Sequence, residues 1–307
     1  MLMLLTNLGS IGMKWLENVV AGVDFSECSG AALSQAVRLA TAHGGAAHPV
    51  CILDTGFVIE IEKTLSTVRA GIREPLIADA KRAWEAFRAK VQGAAALPIH
   101  VEVNERVEGT MRYADKVGAG LLVLGAFGEK KPDVGIGTMA SGCVRHAGCD
   151  VLLVRDTQRG PFKSVLACVD FSENSRRALE KAAAIAANDK AALHVLHVYH
   201  GVTNVFPFFS SVVESWIQAV GDDEARAKEA LEEFVAKVPA ASGLKPALHV
   251  TGSATHGGAL INFAKSSGAE LLVLGTRGAT NLRERMLGST AERVLKGASC
   301  SILAVKP

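Results

Sequence analysis

The chain has 307 residues, enough for about two domains of ordinary size. Hydrophobic residues make up 49% and charged residues 21%, a globular balance that argues against extensive disorder. Lys and Arg number 33 against 31 Asp and Glu, leaving +2, so there is no concentrated basic footprint for nucleic acid; nor does any apolar run approach the roughly 18 residues of a membrane span.

Residues 1–15 read as an N-terminal extension, apolar but without the charged start or small-residue cleavage site of a signal peptide. Met13, before Lys14 and Trp15, stands as an alternative translation start. Strand patterns follow near 18–24, 48–54, 98–104, 120–125 and 149–155, with helical periodicity between them. The segment TQRGPFK (157–163) is a short polar join broken by Gly160 and Pro161. Beyond it come strands at 164–170, 191–199, 246–251, 269–275 and 300–306. The spacing predicts helices near 174–188, 210–238 and 258–267, and one from Ser289.

The second series repeats the first. VVAGVDFSECSGAALSQAVRLA (from 19) returns as VLACVDFSENSRRALEKAAAIA (from 165), LLVLGAFG (121) as LLVLGTRG (271), and GTMASGCVRHAGCDVLLVR (137) as GSTAERVLKGASCSILAVK (288). The chain is therefore read as one domain used twice, over 16–156 and 164–307. Continuous apolar strands joined by helices imply an α/β fold: two doubly wound domains, each a five-stranded parallel sheet in the order 3-2-1-4-5 with helices on both faces. Ligands bind such sheets at the switch point, between strands one and four. The best-repeated motifs, VDFSE and LLVLGxxG, end those two strands.

In the second copy, Gly275 and Gly278 close strand four. Nine residues later Gly288, Ser289 and Thr290 open the last helix, whose free N–H groups suit an anion. Gly275 is expected to let a ligand approach the backbone. Arg277, Arg283 and Arg285 add positive charge, and Asp170 across the crevice can accept from a ribose hydroxyl or a base amino group. The first copy offers Asp24, Gly125, Gly128, Gly137 and Thr138. Its loop is one residue shorter, carries Pro132, and sets Lys130 and Lys131 against Glu129 and Asp133, so phosphate is expected to prefer the second copy.

Here the chain resembles the universal stress protein family in its tandem form. Gly275, Gly278, Gly288 and Ser289 match the family signature G-2x-G-9x-G-(S/T), and the Asp-x-Ser-Glu stretch after strand one also matches. The likeness covers all but about the first 15 residues and implies ATP or another adenine nucleotide, with Mg²⁺. It implies that Asp170 and the backbone near Val198 hold the adenosine. Gly275 and Gly278 would approach ribose and phosphate, and Gly288, Ser289 and Thr290 the phosphates.

Plainer readings stand beside these. Asp24 and Asp170 either cap the following helices or touch ligand, contact being preferred for Asp170. His194, His197 and His200 sit three apart on one strand, so neighbours face opposite ways and are read as satisfied or surface side chains. Cys143, His146 and Cys149 lack a fourth ligand, and no metal site is expected. The run 222–237 reads as a solvated, ion-paired helix face, and Phe206, Phe208 and Phe209 as buried packing or a lid. Six scattered Cys in apolar segments suggest a reducing, cytoplasmic setting.

The expected function is a stress-response sensor that binds ATP mainly in the second domain. Partners are expected to be the nucleotide and a second copy of the domain, within the chain or in a homodimer, and not nucleic acid or membrane. The alternatives are a slow ATPase or nucleotidyl-handling enzyme, at most a weak ATP hydrolase, and a non-binding dimerisation scaffold.

Overall fold

The computed structural model describes residues 14–64, 71–128, 135–200, 213–278 and 287–307, with the backbone alone described over 213–222. They form two compact units, the first ending at Gly160 and the second running from Pro161, with Gly135 grouped with the second. Met13, residues 129–134, Phe206, Phe208, Phe209, Arg283 and Arg285 lie outside the described residues.

Unit one runs β1 Asn18–Gly22, α1 Glu27–Ala42, β2 Ala46–Asp54, α2 Thr55–Thr64, α3 Arg73–Arg88, β3 His100–Asn104, α4 Arg106–Val117, β4 Leu121–Gly125, α5 Thr138–His146 and β5 Asp150–Val154. Unit two runs β6 Ser164–Val169, α6 Glu173–Asp189, β7 Ala192–Tyr199, α7 Val213–Ala236, α8 Pro239–Ser242, β8 Ala247–Gly252, α9 His256–Ser266, β9 Leu271–Gly275, α10 Ser289–Gly297 and β10 Ser301–Val305. Strands fall within two residues of the sequence expectation. The long helix stops at Ala236, and Pro239 then opens the short α8, since proline fits a first helical turn but not a helix interior. Glu233 on α7 pairs with Lys237, just past the helix end, at 3.7 Å.

Each unit is a parallel sheet in the order 3-2-1-4-5: β3-β2-β1-β4-β5 and β8-β7-β6-β9-β10. In the first, Val19 pairs with Leu121. In the second, Val165 pairs with Leu271. The central strands are apolar on successive positions because both faces are covered; Leu121, Leu122, Val123 and Leu271, Leu272, Val273 are wholly buried. From α1 and α6, Leu33 and Leu179 reach zero exposure. Burial of such side chains along each helix holds it to its sheet.

Candidate functional site

Each switch point starts with a sharp turn. The residue after the aspartate that follows strand one is Phe25 in unit one and Phe171 in unit two, each with φ of 64°, a left-handed conformation that is unfavourable for a bulky side chain. Neighbouring rings hold both in place. Phe25 meets Phe87 edge-on with centroids 5.5 Å apart, while Phe171 lies 4.2 Å from His197 and 5.5 Å from Phe234.

The turn sets the aspartates. Asp170 Oδ1 accepts from the Ser172 backbone N–H at 3.1 Å and from its hydroxyl at 2.5 Å; Asp24 does the same for Ser26 at 3.0 and 2.5 Å. The serines, not the aspartates, cap the helices. Ser172 Oγ accepts from Ser175 N–H at 3.1 Å and Ser26 Oγ from Ser29 N–H at 3.2 Å. The capping reading of Asp24 and Asp170 is thereby corrected, because the cap belongs two residues later.

The second carboxylate oxygen explains a glycine. A Cβ on Gly278 would lie 2.7 Å from Asp170 Oδ2, and one on Gly128 would lie 3.1 Å from Asp24 Oδ2. The first glycine of each motif answers to helix packing. A Cβ on Gly275 would lie 2.7 Å from Asn174 Nδ2, and on Gly125 3.1 Å from the backbone of Cys28. Close approach of α6 already demands glycine at 275, a reason that the reading of this position as a ligand approach did not include.

The last helix of each unit is tied to the same end. Gly288 N–H donates to Thr276 O at 2.9 Å, and Gly137 N–H to Ala126 O at 2.8 Å. Neither α10 nor α5 has a side-chain cap, so their first N–H groups remain available to an anion.

In unit two, Asp170, Val198, Gly275, Arg277, Gly278, Gly288, Ser289 and Thr290 line one cavity of about 400 Å³. Asp24, Gly125, Gly128, Gly137 and Thr138 line one of about 540 Å³ in unit one. Both volumes are in the range of small-molecule sites. Within each copy, all the residues singled out from the sequence come together, except those outside the described segments.

Two pairs at the far mouth of the clefts were missed. In unit two, His200 and His256 line the cavity with rings edge to face at 4.4 Å. Burial chiefly, then His200 and His197, lowers the His256 pKa; Asp170 and a hydrogen bond to the Val198 backbone act the other way. His256 is therefore neutral at neutral pH. In unit one the same two places hold Asp54 and Arg106, with Nε 3.6 Å from Oδ2. The reading of the β7 histidines as satisfied or surface groups holds for His194, which meets His249 at 3.2 Å, and for His197, which meets Val169 O at 2.9 Å. It holds for His200 too, which is exposed, and parallel register brings His256 from the next crossover beside it. The signal was a polar pair recurring at matched repeat positions, 54 with 106 and 200 with 256.

Among the described residues, no three or more His, Cys, Asp or Glu side chains gather as metal ligands, and no helix is long and apolar enough to cross a membrane. All six cysteines are free thiols. Burial pushes the Cys143 thiol up to about 12 and Cys51 to about 11, so both behave as small apolar side chains.

A parallel sheet with a cleft at its switch point is the doubly wound α/β architecture, present here twice. The universal stress protein family model matches residues 16–155 and again 161–306, and the chain belongs to that family in tandem form. It is 32% identical over 145 residues to universal stress protein A homolog 1 of Coxiella burnetii, covering 47% of this chain and 96% of the relative. Universal stress protein YxiE of Bacillus subtilis is 28% identical over 149 residues, covering 47% of this chain and 99% of that protein. A universal stress protein structure from Archaeoglobus fulgidus shares the fold, with a TM-score of 0.61 at 17% identity over 94% of this chain and 98% of that one.

Proposed function

We propose that the chain binds an adenine nucleotide, ATP with Mg²⁺, in the unit-two cleft and acts as a nucleotide-dependent stress regulator. One observation carries this reading: Asp170, Arg277, Gly278 and the uncapped start of α10 open on a single cavity. The α10 N–H groups and the Arg277 guanidinium favour phosphate oxygens. Asp170 is a hydrogen-bond acceptor for a ribose hydroxyl or base amino group. Asp170 is also the only carboxylate among the described lining residues, too few for a dedicated Mg²⁺ cage, so the ion would arrive on the phosphates.

Mass spectrometry of nucleotide released from denatured protein, with calorimetric titration by ATP, tests the reading. ATP is expected to bind one strong site per chain. Gly278→Ala, which forces Asp170 aside, is expected to weaken it by about tenfold or more. Protein that carries no nucleotide and ignores added ATP would overturn the proposal. A timed phosphate-release assay separates regulator from enzyme: multiple turnovers that vanish in Gly278→Ala would make the chain an ATPase.

A further inference from the structure

We infer that the unit-one cleft is a second ligand site, built for an uncharged nucleoside rather than a phosphorylated nucleotide. Its cavity, about 540 Å³, is the larger of the two and suits a base with its sugar. Chemistry at each end differs from that in unit two.

At the glycine end, Phe127 stands where unit two has Arg277. The ring is buried, and Arg155, 5.4 Å from its centroid, is buried too and does not line the cavity. A phosphate there would meet no described lining cation. The thiol of Cys51 is held neutral by burial, so the described lining carries two carboxylates, Asp24 and Asp54, against the one guanidinium of Arg106. The uncapped start of α5 matches that of α10 in unit two, so the more negative side-chain lining is what tips unit one from an anion toward a neutral ligand.

At the mouth, the Asp54–Arg106 separation of 3.6 Å is too long for a hydrogen bond. Among the described residues the Arg106 side chain makes no hydrogen bond, and the Asp54 carboxylate accepts only the Phe57 N–H, at 3.2 Å. Donors and acceptors thus lie side by side, matching a base edge that presents an acceptor next to an amino group. Phe25 and Phe57 supply apolar ring surface in the same cavity, and Phe57 keeps 53% of its area exposed with no packing partner sufficient to cover it. Base-on-ring stacking gives such a side chain a use.

The test is calorimetric titration of the full chain with adenosine, guanosine, cytidine and uridine, and with their 5′-monophosphates, with and without saturating ATP. At least one nucleoside is expected to bind, about tenfold or more tighter at this site than its monophosphate. Asp54→Asn and Arg106→Gln are each expected to weaken it about tenfold, and Phe57→Ala several-fold. All three side chains lie at a partly exposed mouth, so melting temperatures are expected to stay at the parental value. The inference is overturned if no nucleoside binds, if the monophosphate binds as tightly, or if the three variants leave binding unchanged. Because the variants all lie in unit one, the result is independent of whether ATP occupies unit two.

Discussion

The two clefts share a frame and differ in what they put at its ends. Both have an aspartate held by a capping serine, a glycine that yields to that aspartate, and an uncapped helix bonded to the strand-four turn. Unit two then places Arg277 by the glycines and two imidazoles at the mouth. In unit one, by contrast, Phe127 occupies the glycine end and an acid–base pair the mouth. The frame is backbone geometry, which any ligand of the right size can use. The clefts differ in a few side chains at element ends, which can change without disturbing the sheet.

The comparison breaks first if the cores are not equivalent. Leu33→Ala and Leu179→Ala remove matched, fully buried side chains, and each is expected to cost about 2–5 kcal/mol in its own unit. Denaturant unfolding would show it; a unit that tolerates the loss is not built as its partner is. Next in size, Arg277→Phe gives unit two the unit-one residue and is expected to lower ATP affinity about tenfold in calorimetry. Unchanged affinity would mean that Arg277 does not distinguish the clefts. The capping serines should behave alike, Ser26→Ala and Ser172→Ala each costing about 1 kcal/mol by chemical denaturation.

The smallest expected effect is a pH difference. In unit two, burial and then His194 lower the His249 pKa. Its folded value lies below the unfolded one, so this contribution is complete above about pH 6.5 and is lost as pH falls through the folded value. In unit one, His100 instead contacts Glu102 at 3.0 Å and stacks on Tyr113 at 4.4 Å. Burial alone would raise Glu102, but hydrogen bonds from His100 and Arg112 outweigh it and leave the pKa lowered, so that contribution persists until pH falls below the ordinary carboxylate value. Thermal melts from pH 7.5 to 5.5 should therefore destabilise unit two, where burial lowers both His249 and His256, more than unit one, where it lowers His48, and His249→Phe should narrow the difference.

Most of the architecture was legible, because it is local. Alternating buried strands and helices carry their own periodicity, and the repeat confirmed each assignment against its copy. The glycines, Asp170 and Ser289 were legible because they sit at the ends of those elements. His256 and Arg106 were not. Each meets its partner, His200 or Asp54, only through the register of neighbouring parallel strands, and a single-strand pattern holds no information about the next crossover. The reason for Gly278 was hidden likewise: spacing marked it as the close of strand four, whereas the Asp170 carboxylate occupies the room a methyl group would need. The helix cap was shifted by two residues because the turn at Phe171 delays the helix start.

That turn also carries a cost. A phenylalanine at φ 64° is an expensive choice, costing about 1–2 kcal/mol against an ordinary conformation. Its presence at both Phe25 and Phe171, beside mouth pairs that differ, marks the turn as a fixed cost of the fold and the mouths as the part free to vary.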